Sequence, residues 1–125
     1  MRESFEVRNG IAESRLSGKS SLVDAVDRVS AIVTRCRERS LERLMVVCTG
    51  LEDVPIPTLV DRFLAAEEWA QKAEGMVVVA LVAHATHIHP QKFGCRVAAD
   101  FGLTLDVYTA EPDAMAWLSG YDRSG

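Results

Sequence analysis

The run Leu44-Met45-Val46-Val47-Cys48-Thr49 constrains this chain more than any other stretch. It shows no polar alternation, so it reads as a strand covered on both faces of a sheet. A turn follows from Gly50 to Pro57, and then an amphipathic helix from Thr58 to Glu74. The helix places Leu59, Val60, Phe63, Ala66, Trp69, Ala70 and Ala73 on its core face. Asp61, Arg62, Glu67, Glu68, Gln71 and Lys72 lie on the other side, and Gly75 stands where a cap is needed. Strand, loop and helix together form the central unit of an α/β domain.

The remaining elements fit around that unit. Ser4 to Arg8 and Ile11 to Leu16 flank Asn9-Gly10, the dipeptide of a two-residue hairpin, so the chain opens on an antiparallel pair. Gly18-Lys19-Ser20-Ser21 ends the second strand and starts a helix, with Ser21 and Asp24 placed as a capping pair. Leu22, Ala25, Val26, Val29, Ile32, Val33 and Cys36 form its apolar stripe. Met76 to Val82 is a second buried strand and His84 to Pro90 a loop. A third helix carries Phe93, Val97 and Phe101, with Gly102 past its end. Leu103 to Tyr108 is the last strand, and a short helix bears Met115, Trp117 and Leu118. Residues 119–125 read as a frayed tail. The order β-β-α-β-α-β-α-β-α predicts one domain over 1–125, a hairpin followed by β-α repeats. Its sheet is mixed but mostly parallel, with helices packed on it.

Composition narrows the partners. The 125 residues carry a net charge of −4, unevenly spread: nine Lys/Arg against seven Asp/Glu in 1–50, and five against eleven in 51–125. Nucleic acid is a poor match for that balance, and a basic protein surface a better one. The longest apolar run, Met76 to Ala83, is too short to span a bilayer, and the N-terminus lacks the apolar run of a signal peptide. Cys36, Cys48 and Cys95 are odd in number and lie in apolar segments, which reads as buried reduced thiols in a cytoplasmic protein. Arg35, Arg37, Arg39 and Arg43 sit at or past the end of the first helix, where they complement its dipole.

Chemistry is expected at the carboxyl ends of the strands, in the loops Leu16–Ser20, Thr49–Thr58 and Ala83–Pro90. Gly18-Lys19-Ser20 has the look of a P-loop terminus. That motif needs a glycine five positions earlier, and position 13 is Glu, so nucleotide binding is set aside. His84, His87 and His89 invite a ligand or metal reading, since imidazole suits zinc, copper or nickel, and Asp53 could complete a set. The spacing matches no familiar site, His89 before Pro90 also suits a helix N-cap, and no cofactor is expected. Glu52 or Asp53 could pair with a histidine for acid–base work, but no nucleophile motif accompanies them. Thr58 begins the central helix, where a hydroxyl caps and a phosphate would meet free N–H groups.

Taken together, several segments carry a family resemblance: Gly10-Ile11-Ala12, Gly18 with the helix after it, Leu44 to Leu51, Pro57 to Phe63, Val79 to Ala83, Pro90 to Gly94 and Ala114 to Leu118. Over residues 5–118 the chain resembles the STAS domain, and more closely its SpoIIAA-like branch of small bacterial proteins, also described as STAS/SEC14-like. The resemblance implies a regulatory or binding module without catalysis of its own. In STAS regulators a serine, preceded by Asp, begins the helix after the central strand and is phosphorylated by a kinase-type anti-sigma factor. Thr58 holds a similar place here, but Pro57 stands where the Asp would be. The expected working surface comprises Glu52, Asp53, Thr58, Asp61 and Arg62, with His84, His87 and His89 beside it. The expected partner is an anti-sigma-like or other regulatory protein, or a second copy of the chain. The SEC14-like comparison implies instead an apolar small molecule beside the same helix, in a space lined by residues like Ile56, Leu59 and Phe63, which otherwise read as core.

Overall fold

The computed structural model describes residues 1–121; part of the expected frayed tail, 122–125, lies outside the described residues. Five strands form one sheet in the order β1-β2-β3-β4-β5: β1 (Arg2–Arg8), β2 (Ile11–Lys19), β3 (Arg43–Glu52), β4 (Val78–Val82) and β5 (Leu105–Tyr108). β1 and β2 are antiparallel, and every later pair is parallel, including β3 with β4. The hairpin closes at Arg8↔Ile11 through Asn9 and Gly10, both at positive φ as this tight turn requires.

Because the strands are laid down in sequence order, every crossover steps the same way. Right-handed connections then place their helices on one face. That face carries α1 (Leu22–Glu38), α2 (Leu59–Ala73) and α3 (Phe93–Asp100). Their core includes Val29, Ile32, Ala66 and Trp69 packed with Leu44, Val46 and Val79. Only α4 (Glu111–Gly120) covers the other face, where Ala114 and Leu118 meet Met45, Val47, Val78 and Ala80. The alternation of Leu44 and Val46 against Met45 and Val47 is the pleat of a doubly covered strand. The parallel strands never reverse their order, so there is no switch-point crevice. Loops alone build the top of the sheet.

Several boundaries and faces differ from the sequence reading. β2 runs through Gly18 and Lys19 rather than breaking there, and β3 continues to Glu52. A register shift between Arg15 and Ser17 lets Ser17, Gly18 and Lys19 pair with Gly50, Leu51 and Glu52. At Gly50 a Cβ would stand 2.9 Å from the Leu16 carbonyl oxygen, so the close pairing needs glycine. The basic cluster beyond α1 does not act as one patch. Arg37 bonds the Lys72 carbonyl and Glu74, Arg43 bonds the Tyr121 carbonyl, and Arg35 and Arg39 lie over the Phe5 ring.

The largest correction concerns α2. Ala65, Ala66, Trp69, Ala70 and Ala73 are buried, but Leu59, Val60 and Phe63, expected in the core, are exposed with Leu64. Val60 and Leu64 share the i, i+4, i+7, i+11 stripe of Glu67 and Gln71, which points outward. Leu59 does lie in register with Ala66 and Ala73, but in the first turn, at the end of the packed interface.

Candidate functional site

The site is the junction of two loops at the carboxyl ends of β3 and β4. Residues 53–57 lead from β3 into α2. Residues 83–92 lead from β4 through a short 3-10 turn at Ala85–His87 into α3. Side chains lace the two together. The His84 Nε2 lies 3.0 Å from the Thr49 carbonyl oxygen, and the His87 Nε2 lies 2.9 Å from that of Val54. A carbonyl can only accept, so both imidazoles carry their proton on Nε2 in these bonds. Arg62 Nη1 donates in turn to the His87 carbonyl at 2.9 Å. The Ser20 N–H reaches the Glu52 carbonyl and ties in the end of β2.

The three histidines therefore do separate jobs and do not converge. His89 Nδ1 accepts from the Gln91 N–H, closing a turn before α3. It does not cap that helix: the N-cap is Lys92, at positive φ and without a side-chain cap. Among the described residues no group of three or more His, Cys, Asp or Glu side chains is arranged to hold a metal ion. Glu52 and Asp53 are exposed, and neither is bonded to a histidine among the described residues. Burial pushes the Cys48 thiol up to about 12, so it is no thiolate nucleophile at neutral pH.

Thr58 is the N-cap of α2, within a reciprocal capping box. Its Oγ1 accepts from the Asp61 N–H at 3.1 Å, and Asp61 Oδ2 accepts from the Thr58 N–H at 2.9 Å. That backbone bond, then the Thr58 side-chain bond, lowers the Asp61 pKa below its usual value. The spacing Thr58-x-x-Asp61 was legible in the sequence. The capping role of Thr58 was legible too, but the reciprocal bond from Asp61 was not, because Asp61 was placed only on the outer side of the helix.

Beside the box, the outer ends of α1 and α2 form a surface groove. Val23 and Leu64 supply exposed apolar surface, and Asp27, Asp61 and Glu68 supply carboxylates; no cation lines it. Ile56, Leu59, Val60 and Phe63 extend the apolar surface around the start of α2, and Phe63 meets Phe101 edge-on with centroids 5.7 Å apart. Val60 is 67% exposed and Ile56 61%. The sequence reading missed this surface by taking Leu59, Val60 and Phe63 into the core stripe of the helix. The stripe shared by Val60, Leu64, Glu67 and Gln71 was the available signal.

No protein-family model and no curated protein matches the chain significantly. Solved structures do. An anti-sigma factor antagonist from Mycobacterium paratuberculosis superposes with a TM-score of 0.58 at 15% identity, over 94% of this chain and 93% of that one. The anti-sigma factor antagonist SpoIIAA in its unphosphorylated form superposes with a TM-score of 0.54, also at 15% identity, over 96% and 100%. The fold is that of the STAS/SpoIIAA domain. Within this STAS fold, the box at Thr58 and the groove beside it lie on the helix that follows the central strand, the helix singled out by the resemblance.

Proposed function

We propose that this STAS-fold domain is a non-enzymatic regulatory module of the cytoplasm that docks a protein partner of the anti-sigma type. The observation that carries the reading is the exposed apolar surface of Val23, Val60, Leu64 and Phe63 with Asp27, Asp61 and Glu68 beside it. Isolated exposed apolar residues are ordinary, whereas a contiguous group rimmed by one sign of charge marks a protein contact. The complementary partner has an apolar centre and a basic rim, which the acidic balance of residues 51–125 also favours. The similar solved structures, both anti-sigma factor antagonists, support the choice of partner class.

In this reading Val60 and Leu64 form the centre of the surface, Thr58 and Asp61 its rim at the helix start, and Glu52 and Asp53 its loop side. Arg62 and the histidines hold the loops in place behind it. Thr58 is exposed and is the site where added charge would act. The test is binding of the purified domain to a panel of purified anti-sigma factors from the source organism. One of them should bind, and Val60→Glu and Thr58→Glu should each weaken it about ten-fold or more. Binding that is indifferent to both substitutions would put the interface elsewhere. A wild-type dimer that Val60→Glu converts to monomer would make the face a self-contact instead.

A further inference from the structure

Behind the laced loops the interior is not filled. Two adjoining, partly open chambers of about 190 and about 140 Å³ lie beneath α1 and α2, the larger against the upper ends of β3 and β4, the smaller against β4, β5 and α3. They share Leu22, Val26, Pro57, Trp69, Leu81 and His87 as walls. The larger adds Cys48 and Leu51, and the smaller adds Arg62 and Lys92. The void has a clear cause. Beside Trp69, where α2 faces this space it carries the small Ala65 and Ala66, while the bulk of Leu59, Phe63 and Leu64 is turned outside. Ile56, Leu59 and Phe63, expected to line any such space, line neither chamber.

Three properties define an occupant. The first is size: an apolar cavity of about 150 Å³ stays dry and accepts one benzene ring, so each chamber holds about one ring. The second is polarity, since the shared walls are nearly all apolar and a void there forgoes dispersion contacts that a hydrocarbon body would restore. The third is charge. Arg62 lines the smaller chamber, spends Nη1 on the His87 carbonyl, and has no ion-pair partner among the described residues. Asp61 also lines the smaller chamber and attracts Arg62, but its carboxylate is bonded to the Thr58 N–H, and Lys92 is paired with Asp106 at 2.6 Å. The guanidinium keeps N–H donors in the fork geometry that suits a carboxylate.

We propose that the double chamber binds a small carboxylic acid whose apolar body is about one aromatic ring or a short branched chain, seated against Trp69 with its carboxylate at Arg62. Trp69 is held as a rigid wall by its Nε1–H bond to the Val26 carbonyl at 3.1 Å. The smaller chamber adjoins the groove of the docking face, sharing Leu22, Val26, Asp61 and Ala65 with it, but the probes below read the chamber without any protein partner.

The test uses phenylacetate as probe and phenylacetamide as its neutral control. In a Trp117→Phe background, emission comes from Trp69 alone, since the chain has two tryptophans. Phenylacetate should change that emission saturably and bind about ten-fold or more tighter than the amide. Arg62→Gln should erase the preference for the acid while leaving the amide bound, which also shows that the chamber has survived. Leu22→Phe, at the half-buried start of α1, should narrow the chamber and weaken both probes. Val26→Phe should do so more strongly, since it fills more space without adding a tryptophan, with circular dichroism checking its fold. No response to phenylacetate up to ~10 mM overturns the site. So does equal binding of acid and amide in the wild type, or binding untouched by the filling substitutions.

Discussion

The two halves of α2 are one continuous helix with opposite uses. From Ala65 to Ala73 it buries small residues and one tryptophan between α1 and the sheet. From Leu59 to Leu64 it carries larger apolar side chains and leaves them in water. Burial alone would favour the reverse, since fully burying a Leu or Phe side chain is worth about 1.5–3 kcal/mol. The alanines let α1 and α2 approach, with Trp69 bonded to Val26 and Ser30 to Glu68 across the gap. The leucines and phenylalanine stay exposed, which is the surface the proposed docking would use. A helix can thus serve as scaffold in one half and contact surface in the other, and the change falls near Leu64.

If that division is right, substitutions in the two halves should fail in different ways. Trp69→Ala should be the most damaging. It removes a buried aromatic and one of the bonds to the Val26 carbonyl, which keeps its bond from the Ser30 hydroxyl, for a loss of about 3–5 kcal/mol, read as a fall in Tm of roughly 10 °C or more. A mild effect would mean that the inner half is already loosely packed around the chambers. Val60→Glu with Leu64→Glu should instead leave stability within about 0.5 kcal/mol of wild type by urea unfolding. The same double variant should lose partner binding by ten-fold or more, about 1.4 kcal/mol. A large drop in stability would show that these side chains belong to the core after all.

How much of this was legible can be traced along the same helix. The parallel pairing of β3 with β4 followed from Leu44–Thr49 and Met76–Val82, because long apolar runs separated by a helix leave little else. The Asn9-Gly10 turn and the Ser21 cap followed from local chemistry, which needs no distant partner. Val60 and Phe63 were misassigned because periodicity gives a stripe, not what stands opposite it. The chambers were invisible for the same reason, since a void is a property of the gap between Leu22, Val26, Leu81 and Ala66, not of any one of them. The histidines were misleading in another way: three in six residues suggest shared work, while the fold gives each its own partner.

The junction between loop and helix offers a smaller test. Thr58→Ala removes one bond of the capping box and should cost about 1 kcal/mol, measured by urea unfolding at neutral pH. The box also bears on phosphorylation. A phosphate on Thr58 would meet a positive helix end, but here the Thr58 N–H is already held by Asp61, whose carboxylate would repel it. Thr58→Ala and Thr58→Glu should therefore be similarly destabilised, although only the second adds charge to the docking face. A clearly more stable Thr58→Glu would show that the Asp61 contact yields easily to another anion.

The finest division concerns Asp61 itself, whose carboxylate is held below its ordinary value of 3.8 by the Thr58 N–H and then by the Thr58 side chain. A carboxylate with a depressed folded pKa stabilises fully above its unfolded pKa, and that contribution disappears as pH falls through the folded value. Wild-type protein should thus exceed Asp61→Asn in stability at neutral pH, and the gap should close on acidification below about pH 4. Other carboxylates also titrate there. Glu111 is lowered by its bond from Arg15, and Asp106 is lowered because Lys92, the Val107 N–H and Tyr108 outweigh the desolvation that opposes them. Both are present in either protein, so they drop out of the difference, and urea midpoints taken across the acid range isolate the box. A gap that stays constant with pH would mean that Asp61 holds the helix end by shape rather than by charge.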